Sequence, residues 1–424
     1  GIGAIMVVAV AMIGSVTVVP AIHAALGDKV DRGRNPFQHR LRRSGTSATP
    51  GESRMWGAVL NRVLKRPALS AGLAAAVLIA MAIPAFSMHT VQTGTDDLPR
   101  NLEVMQVYDR MQAAFPGGEI PAVVAIQAGD VTTPEIAAAV KELETRAAAT
   151  GTMNAPVDVS VSPDERVALI SIPMKGSGAD DVSSRAVADL RAGIVEQTVG
   201  SAPGVRQAYV SGMAAQSQDW NDLMKSRAPL VFAFVLTLAF LLLLVTFRSI
   251  VIPVKAIVLN LMSVAAAYGV LVWVFQDGHL EGLLDFESNG GVTSWLPMFL
   301  FVILFGLSMD YHVFILSRIR EAVDRGMRTE DAVTHGIKAT AGTVTSAAIV
   351  MVAVFGVFAT LSSLDFKQMG VGLAVAIAID ATIVRAVLLP ATMKLLGTWN
   401  WYLPKRLDWL PQVAHEPQVE GAKA

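Results

Sequence analysis

Hydrophobic and polar positions alternate along this chain on two length scales. A membrane-spanning helix needs about 20 mainly apolar residues, and seven segments reach that length: roughly 1–22, 68–86, 228–247, 253–275, 295–316, 342–362 and 370–395. Between residues 87 and 227 the runs shorten. There "PAVVAIQAG", "APVDVSVS", "RVALISIPM" and "VRQAYVSG" read as strands, while "TPEIAAAVKELETRAAA" and "ADDVSSRAVADLRAGIVEQT" carry helical periodicity. Thr133 stands at the N-cap of the first of these helices, ahead of Pro134. The order β-α-β-β-α-β predicts a split-βαβ, ferredoxin-like domain.

Composition places the whole chain in the membrane class: 53% of its 424 residues are hydrophobic and 16% charged, against about 25% charged in soluble domains. With no cysteine there is no disulfide framework or thiolate site, and the seven histidines show no metal-ligand spacing. No phosphate-cradling glycine loop or GxSxG is present, so neither an enzyme, a cofactor, a metal nor ATP hydrolysis is expected. A nucleic-acid partner is not expected either.

Charge sorts the loops by side. Residues 28–66 are rich in Lys and Arg, from Lys29 to Arg66, which puts them in the cytoplasm by the positive-inside rule. The turn with Arg248 and Lys255, the segment 317–338 with Arg318, Arg320, Arg325, Arg328 and Lys338, and the tail with Lys394, Lys405 and Arg406 fall on the same side. Residues 276–294 carry Asp277, Glu281, Asp285 and Glu287 without Lys or Arg, and fall outside. Interfacial Trp399, Trp401 and Tyr402 mark the last membrane boundary.

The expected plan therefore starts with a membrane helix at 1–27, a basic cytoplasmic linker at 28–66 and a helix at 67–86. An extracytoplasmic domain at 87–227 precedes three membrane helices within 228–316, a cytoplasmic amphipathic loop at 317–338, two helices within 339–396 and a cytoplasmic tail at 397–424. Residue 1 is a glycine within an apolar run, which reads as a fragment beginning at or inside a membrane helix. "VVPAIHAALG" near the start and "LLPATMKLLG" near the end match at Pro20, Ala21, Leu26 and Gly27 with Pro390, Ala391, Leu396 and Gly397. A duplicated transporter explains that repeat, with residues 1–27 as the last helix of its first half. The second copy differs in chemistry, with Asp380 and Arg385 where the first has Val10 and Ser15.

One acid lies deep in the apolar run "LPMFLFVILFGLSMDY": no charge separates Glu287 from Asp310. A charge at mid-bilayer costs about 2.5–3.5 kcal/mol on translocon scales, so such an acid is protonated, paired or facing a wet cavity. Tyr311 offers a hydroxyl beside it, and Gly306, one turn earlier, removes bulk on the same face. These features suit a proton relay. Asp380 and Arg385 stand five apart, so on a regular helix they diverge and each needs a partner elsewhere. Asn260, Ser308, Thr343, Thr345 and Ser346 are further candidates for a polar core.

"GLSMDYHVFILSRIREA", "AVTHGIKATAGTVTSAA" and "AIDATIVRAVLLPATMKLLGTWNWYLP" resemble the MMPL family of the resistance-nodulation-division superfamily, best known from mycobacterial exporters. The resemblance implies an α-helical polytopic membrane protein with an extracytoplasmic α+β ferredoxin-like porter domain, half of a duplicated twelve-helix transporter. It implies proton-motive-force-driven export of lipids or amphipathic small molecules across the bacterial inner membrane. Its partners would be a lipid or hydrophobic substrate, protons, membrane lipids and, in an assembly, further copies of the chain. Asp310 and Tyr311 would form the proton relay, with Asp380, Arg385, His312 and Ser308 in relay or supporting roles and Gly306 packing beside them. His312 departs from the family pattern, in which many relatives carry an acid at that place. The family's other Asp-Tyr pair would lie upstream of residue 1. The competing reading is a sterol-sensing-like lipid receptor that does not pump.

Overall fold

The computed structural model describes residues 2–27, 54–92, 98, 102–114, 120–176 and 180–411. Most of the basic linker and the end of the tail lie outside the described residues. The chain divides into two units, residues 1–51 and 52–424. In the first, α1 (Ile2–Leu26) is apolar on every side, and its Thr17 hydroxyl donates to its own backbone at Ile13 O, 2.6 Å away.

The second unit begins with α2 (Arg54–Lys65), an amphipathic helix that buries Leu60 and Val63. Pro67, which needs no amide partner at a helix start, opens α3 (Pro67–Ala82). Short strand β1 (Thr90–Val91) pairs in parallel with Val292–Thr293, far along the chain. After α4 (Glu103–Ala114) comes an antiparallel sheet of β2 (Ala122–Ala128), β3 (Asp158–Val161), β4 (Val167–Ile172) and β5 (Val205–Ser211), in the spatial order β3-β4-β2-β5. With α5 (Pro134–Ala149) after β2 and α6 (Asp181–Asp189) after β4, this is the split-βαβ topology. Val124, Ile126, Ile170 and Ile172 alternate toward Leu143, Val187 and Leu190, which gives this domain its own core.

A second core runs through the long helices. Helix α7 (Met213–Phe247) starts well before its apolar stretch, so one rod of 35 residues leaves the domain and enters the apolar bundle. Arg191, just beyond α6, grips Asp219 on α7 through Nη1–Oδ1 at 2.6 Å and Nη2–Oδ2 at 2.9 Å. Helix α8 (Val251–Leu271) crosses α3 so closely that a Cβ at Gly269 would lie 1.8 Å from the Met81 carbonyl oxygen. Lys255 does not sit in a basic turn. It is buried in α8, and its Nζ donates to Asn400 Oδ1 at 3.1 Å.

Helices α9 (Leu296–Asp324) and α10 (Thr329–Phe358) are joined by residues 325–328, so most of the segment 317–338 is helical. Ion pairs at helical spacing, Arg318–Glu321 at 2.9 Å and Arg320–Asp324 at 2.9 Å, extend α9 beyond its apolar stretch. The last span comprises α11 (Leu364–Ile379), a π-helical segment Asp380–Leu388 and α12 (Leu389–Leu396). Among the described residues, seven helices are long and apolar enough to cross a membrane. The chain is a mostly helical, polytopic membrane protein.

Candidate functional site

The unusual winding of residues 380–388 creates the site. In a π-helix the backbone bonds run i to i+5, so the fifth residue along lies about one turn above the first. Asp380 and Arg385 therefore meet on one face, and Arg385 Nη2 donates to Asp380 Oδ2. The expectation that each needs a partner elsewhere is corrected: it assumed regular α-winding. The pair is almost sealed, at 4% exposure for Asp380 and 3% for Arg385.

Tyr311 packs on this pair from α9. The Arg385 guanidinium carbon lies 4.5 Å from the centre of the Tyr311 ring, a cation–π contact. Asn260 and Ser263 on α8, with Ser308 on α9, join them in lining a cavity of about 10 Å3 that apolar residues such as Leu304 and Met351 also wall, the lower limit for one water. Several polar atoms of its lining are buried without a partner among the described residues: both Asn260 amide atoms, Asp380 Oδ1 and Arg385 Nε. Leaving each unmade costs about 1–3 kcal/mol, so the concentration of such atoms makes this cavity the candidate site.

The consecutive residues Asp310, Tyr311 and His312 point three ways. His312 is buried, with Nδ1 3.1 Å from Ser308 O and 3.4 Å from Ser308 Oγ. Tyr311 is half-buried against Arg385, while Asp310 lies on the exposed face of α9. Gly306 shares that face, and a Cβ there would meet nothing within 4 Å among the described residues. Thr343 and Ser346 on α10 are exposed, and Thr345 accepts a hydrogen bond from the Trp56 indole at 3.0 Å. Of the sequence candidates, the structure thus gathers Asp380, Arg385, Tyr311, Ser308 and Asn260 around one cavity, while His312 bonds to Ser308. Asp310 and Gly306 lie on a face exposed among the described residues.

Sequence reasoning missed Lys255 and Asn400. Asn400 Nδ2 donates to the Met393 and Gly397 carbonyls, both at 2.7 Å, its Oδ1 receives Lys255, and its own carbonyl accepts from Ser249 Oγ at 2.6 Å. The signal was available as a lysine inside the apolar run "VIPVKAIVLN" and an asparagine between two tryptophans. Among the described residues, no group of His, Asp or Glu side chains could hold a metal ion.

Comparison with known proteins agrees with this architecture. Residues 96–415 match the MMPL family. The chain is 38% identical to the mycolic acid-containing lipids exporter MmpL11 of Mycolicibacterium smegmatis, across 99% of this chain and 44% of the relative. It is 36% identical to the heme uptake protein MmpL11 of Mycobacterium tuberculosis, across 97% and 41%. With the trehalose monomycolate exporter MmpL3 of the same species it shares 29% identity, across 92% and 44%. The chain spans less than half the length of each of these relatives.

Proposed function

From the premise that the chain belongs to the MMPL family, as a multi-pass protein of the bacterial cell membrane, we propose that it forms the second half of a proton-driven exporter of lipids or amphipathic small molecules. In this reading residues 1–27 close the first six-helix repeat and the rest supplies the second. The split-βαβ domain within 87–227 is the extracytoplasmic porter domain. Two relatives named as exporters of mycolate-type lipids support the substrate class. A third named for heme uptake adds haem to the compounds worth testing.

The observation that carries the reading is the placement of Asp310. It stands mid-way along an apolar helix on a face exposed among the described residues, beside the bare Gly306, with its neighbour Tyr311 turned inward onto a buried ion pair. An acid so placed can load a proton on the open side, while Tyr311 couples it to the packing of α9 against α8 and the π-helical segment. Moving one charge through 100 mV provides about 2.3 kcal/mol, and each pH unit about 1.4 kcal/mol. Both suffice to bias a rocking equilibrium.

The test uses the complete reading frame in proteoliposomes with an imposed pH gradient and a panel of mycolate-type lipids, fluorescent amphiphiles and haem. Asp310→Asn, folded and at matched density, should lose gradient-driven transport and keep substrate binding. Wild-type transport by that variant would sink the relay, and binding without transport in the wild type would favour a lipid receptor.

A further inference from the structure

A second cavity, of about 280 Å3, lies between α9 and α10 near the elbow at residues 325–328 that joins them. It stands at the low end of small-molecule sites, about 300–1,000 Å3, with room for a headgroup rather than a whole lipid. Arg318, Glu321 and Arg325 line it from α9 and His335 from α10, while Phe314 and Ala339 make part of its apolar wall. It shares no lining residue with the Tyr311–Arg385 cavity.

The charges here are ordered. Glu321, half-buried, accepts from Arg318 Nη1 through Oε2 at 2.9 Å and from Arg325 Nη2 through Oε1, so one carboxylate ties two guanidiniums together. Two cations against one anion give the lining a net positive charge. Neighbouring acids do not cancel it: Asp324 pairs with Arg320 and Asp331 with Arg328, both at 2.9 Å, and Glu330 pairs with Lys394. Guanidinium forks match phosphate oxygens in geometry as well as in charge.

The apolar wall continues into the span. Phe314, 38% exposed among the described residues, lies one turn inward of Arg318 on α9. On α10, Ala339 and Val350 are about three turns apart and point the same way. Val350 and its neighbour Ile349 are 60% and 64% exposed. A cationic pocket from which an apolar strip runs into the membrane fits an amphiphile with an anionic head. The Arg-rich elbow falls on the cytoplasmic side by the positive-inside rule, and basic pockets between helices on that side suit anionic headgroups.

We propose that this cavity binds the phosphate of an anionic phospholipid of the cytoplasmic leaflet, with an acyl chain along Phe314, Ala339 and Val350. Arg318 and Arg325 grip the phosphate oxygens, His335 donates from the facing helix, and the bound lipid bridges α9 to α10. The site requires no proton relay, so its failure would leave the transport reading untouched.

The test places the complete reading frame in phosphatidylcholine nanodiscs doped with photoactivatable phosphatidylglycerol and maps the labelled peptides by mass spectrometry. Labelling should concentrate within residues 314–350. Arg318→Gln combined with Arg325→Gln should cut it about tenfold or more and leave labelling of the other spans unchanged. Ala339→Phe, which fills the cavity and keeps every charge, should do the same, and it decides the matter if the arginine variant does not fold. Photoactivatable phosphatidylcholine should label this segment weakly, and glycerol phosphate, an anion without chains, should not compete. Full competition by glycerol phosphate would replace the lipid by a free phosphate anion. No labelling within 314–350, equal labelling by both lipids, or wild-type labelling in the variants would each overturn the proposal.

Discussion

Arg385 reaches back along its own helix to Asp380, and the same guanidinium lies 4.5 Å over the ring of Tyr311 on α9. One cation thus ties the π-helical segment to itself and to a neighbouring helix. Breaking a buried pair from one side leaves a charge without compensation, which typically costs about 3–5 kcal/mol. Arg385→Met should therefore lower the thermal midpoint sharply in detergent, and Asp380→Asn added to it should recover much of the loss. Equal melting of single and double variants would show that the loss does not come from an uncompensated Asp380.

Asn400 makes a second prediction. Its side chain satisfies two carbonyls and the buried ammonium of Lys255. Asn400→Leu matches its bulk but none of these bonds, and about 1–3 kcal/mol follows for each buried group left unpaired. The variant should melt well below wild type, and adding Lys255→Met should relieve part of the deficit. An unchanged midpoint would mean that water replaces the amide.

Gly269 tests the packing of α3 on α8. Any side chain there would collide with the Met81 backbone, and overpacking costs typically about 1–3 kcal/mol. Gly269→Val should reduce both folded yield and thermal midpoint. By contrast Gly306→Ala, whose new methyl meets nothing within 4 Å among the described residues, should leave the melting unchanged.

The β3–β4 turn gives a pH prediction outside the membrane. Asp164 accepts from Ser162 Oγ at 2.6 Å and from the Arg166 amide at 3.4 Å, and these bonds hold its carboxyl below the usual 3.8. Because the folded value is the lower one, the stabilisation is fully present above the unfolded value. It disappears as the pH falls through the folded one. An NMR titration should find Asp164 more acidic than a free aspartate, and Ser162→Ala should move it back up.

Much of this protein could be read from the order of its residues. Burial of apolar side chains in lipid needs only length and hydropathy, so the seven spans follow from runs such as "LVFAFVLTLAFLLLLV". The strands of the α+β domain follow from period-two alternation, and Asp310 stands out because an acid in such a run has no solvent to pay for it. Helix ends were less legible. The polar start of α7 and the charged end of α9 are held by Asp219 with Arg191 and by the Arg318–Glu321 pair, contacts that hydropathy does not score. Only the tertiary structure decided which charges meet. A single i-to-i+5 winding turned Asp380 and Arg385 from divergent residues into a sealed pair. The packing of α9 sent Asp310, Tyr311 and His312 into three environments that their adjacency in sequence conceals. Pairing depends on backbone winding and on which helices surround a face, and neither is encoded in the spacing of residues along one helix.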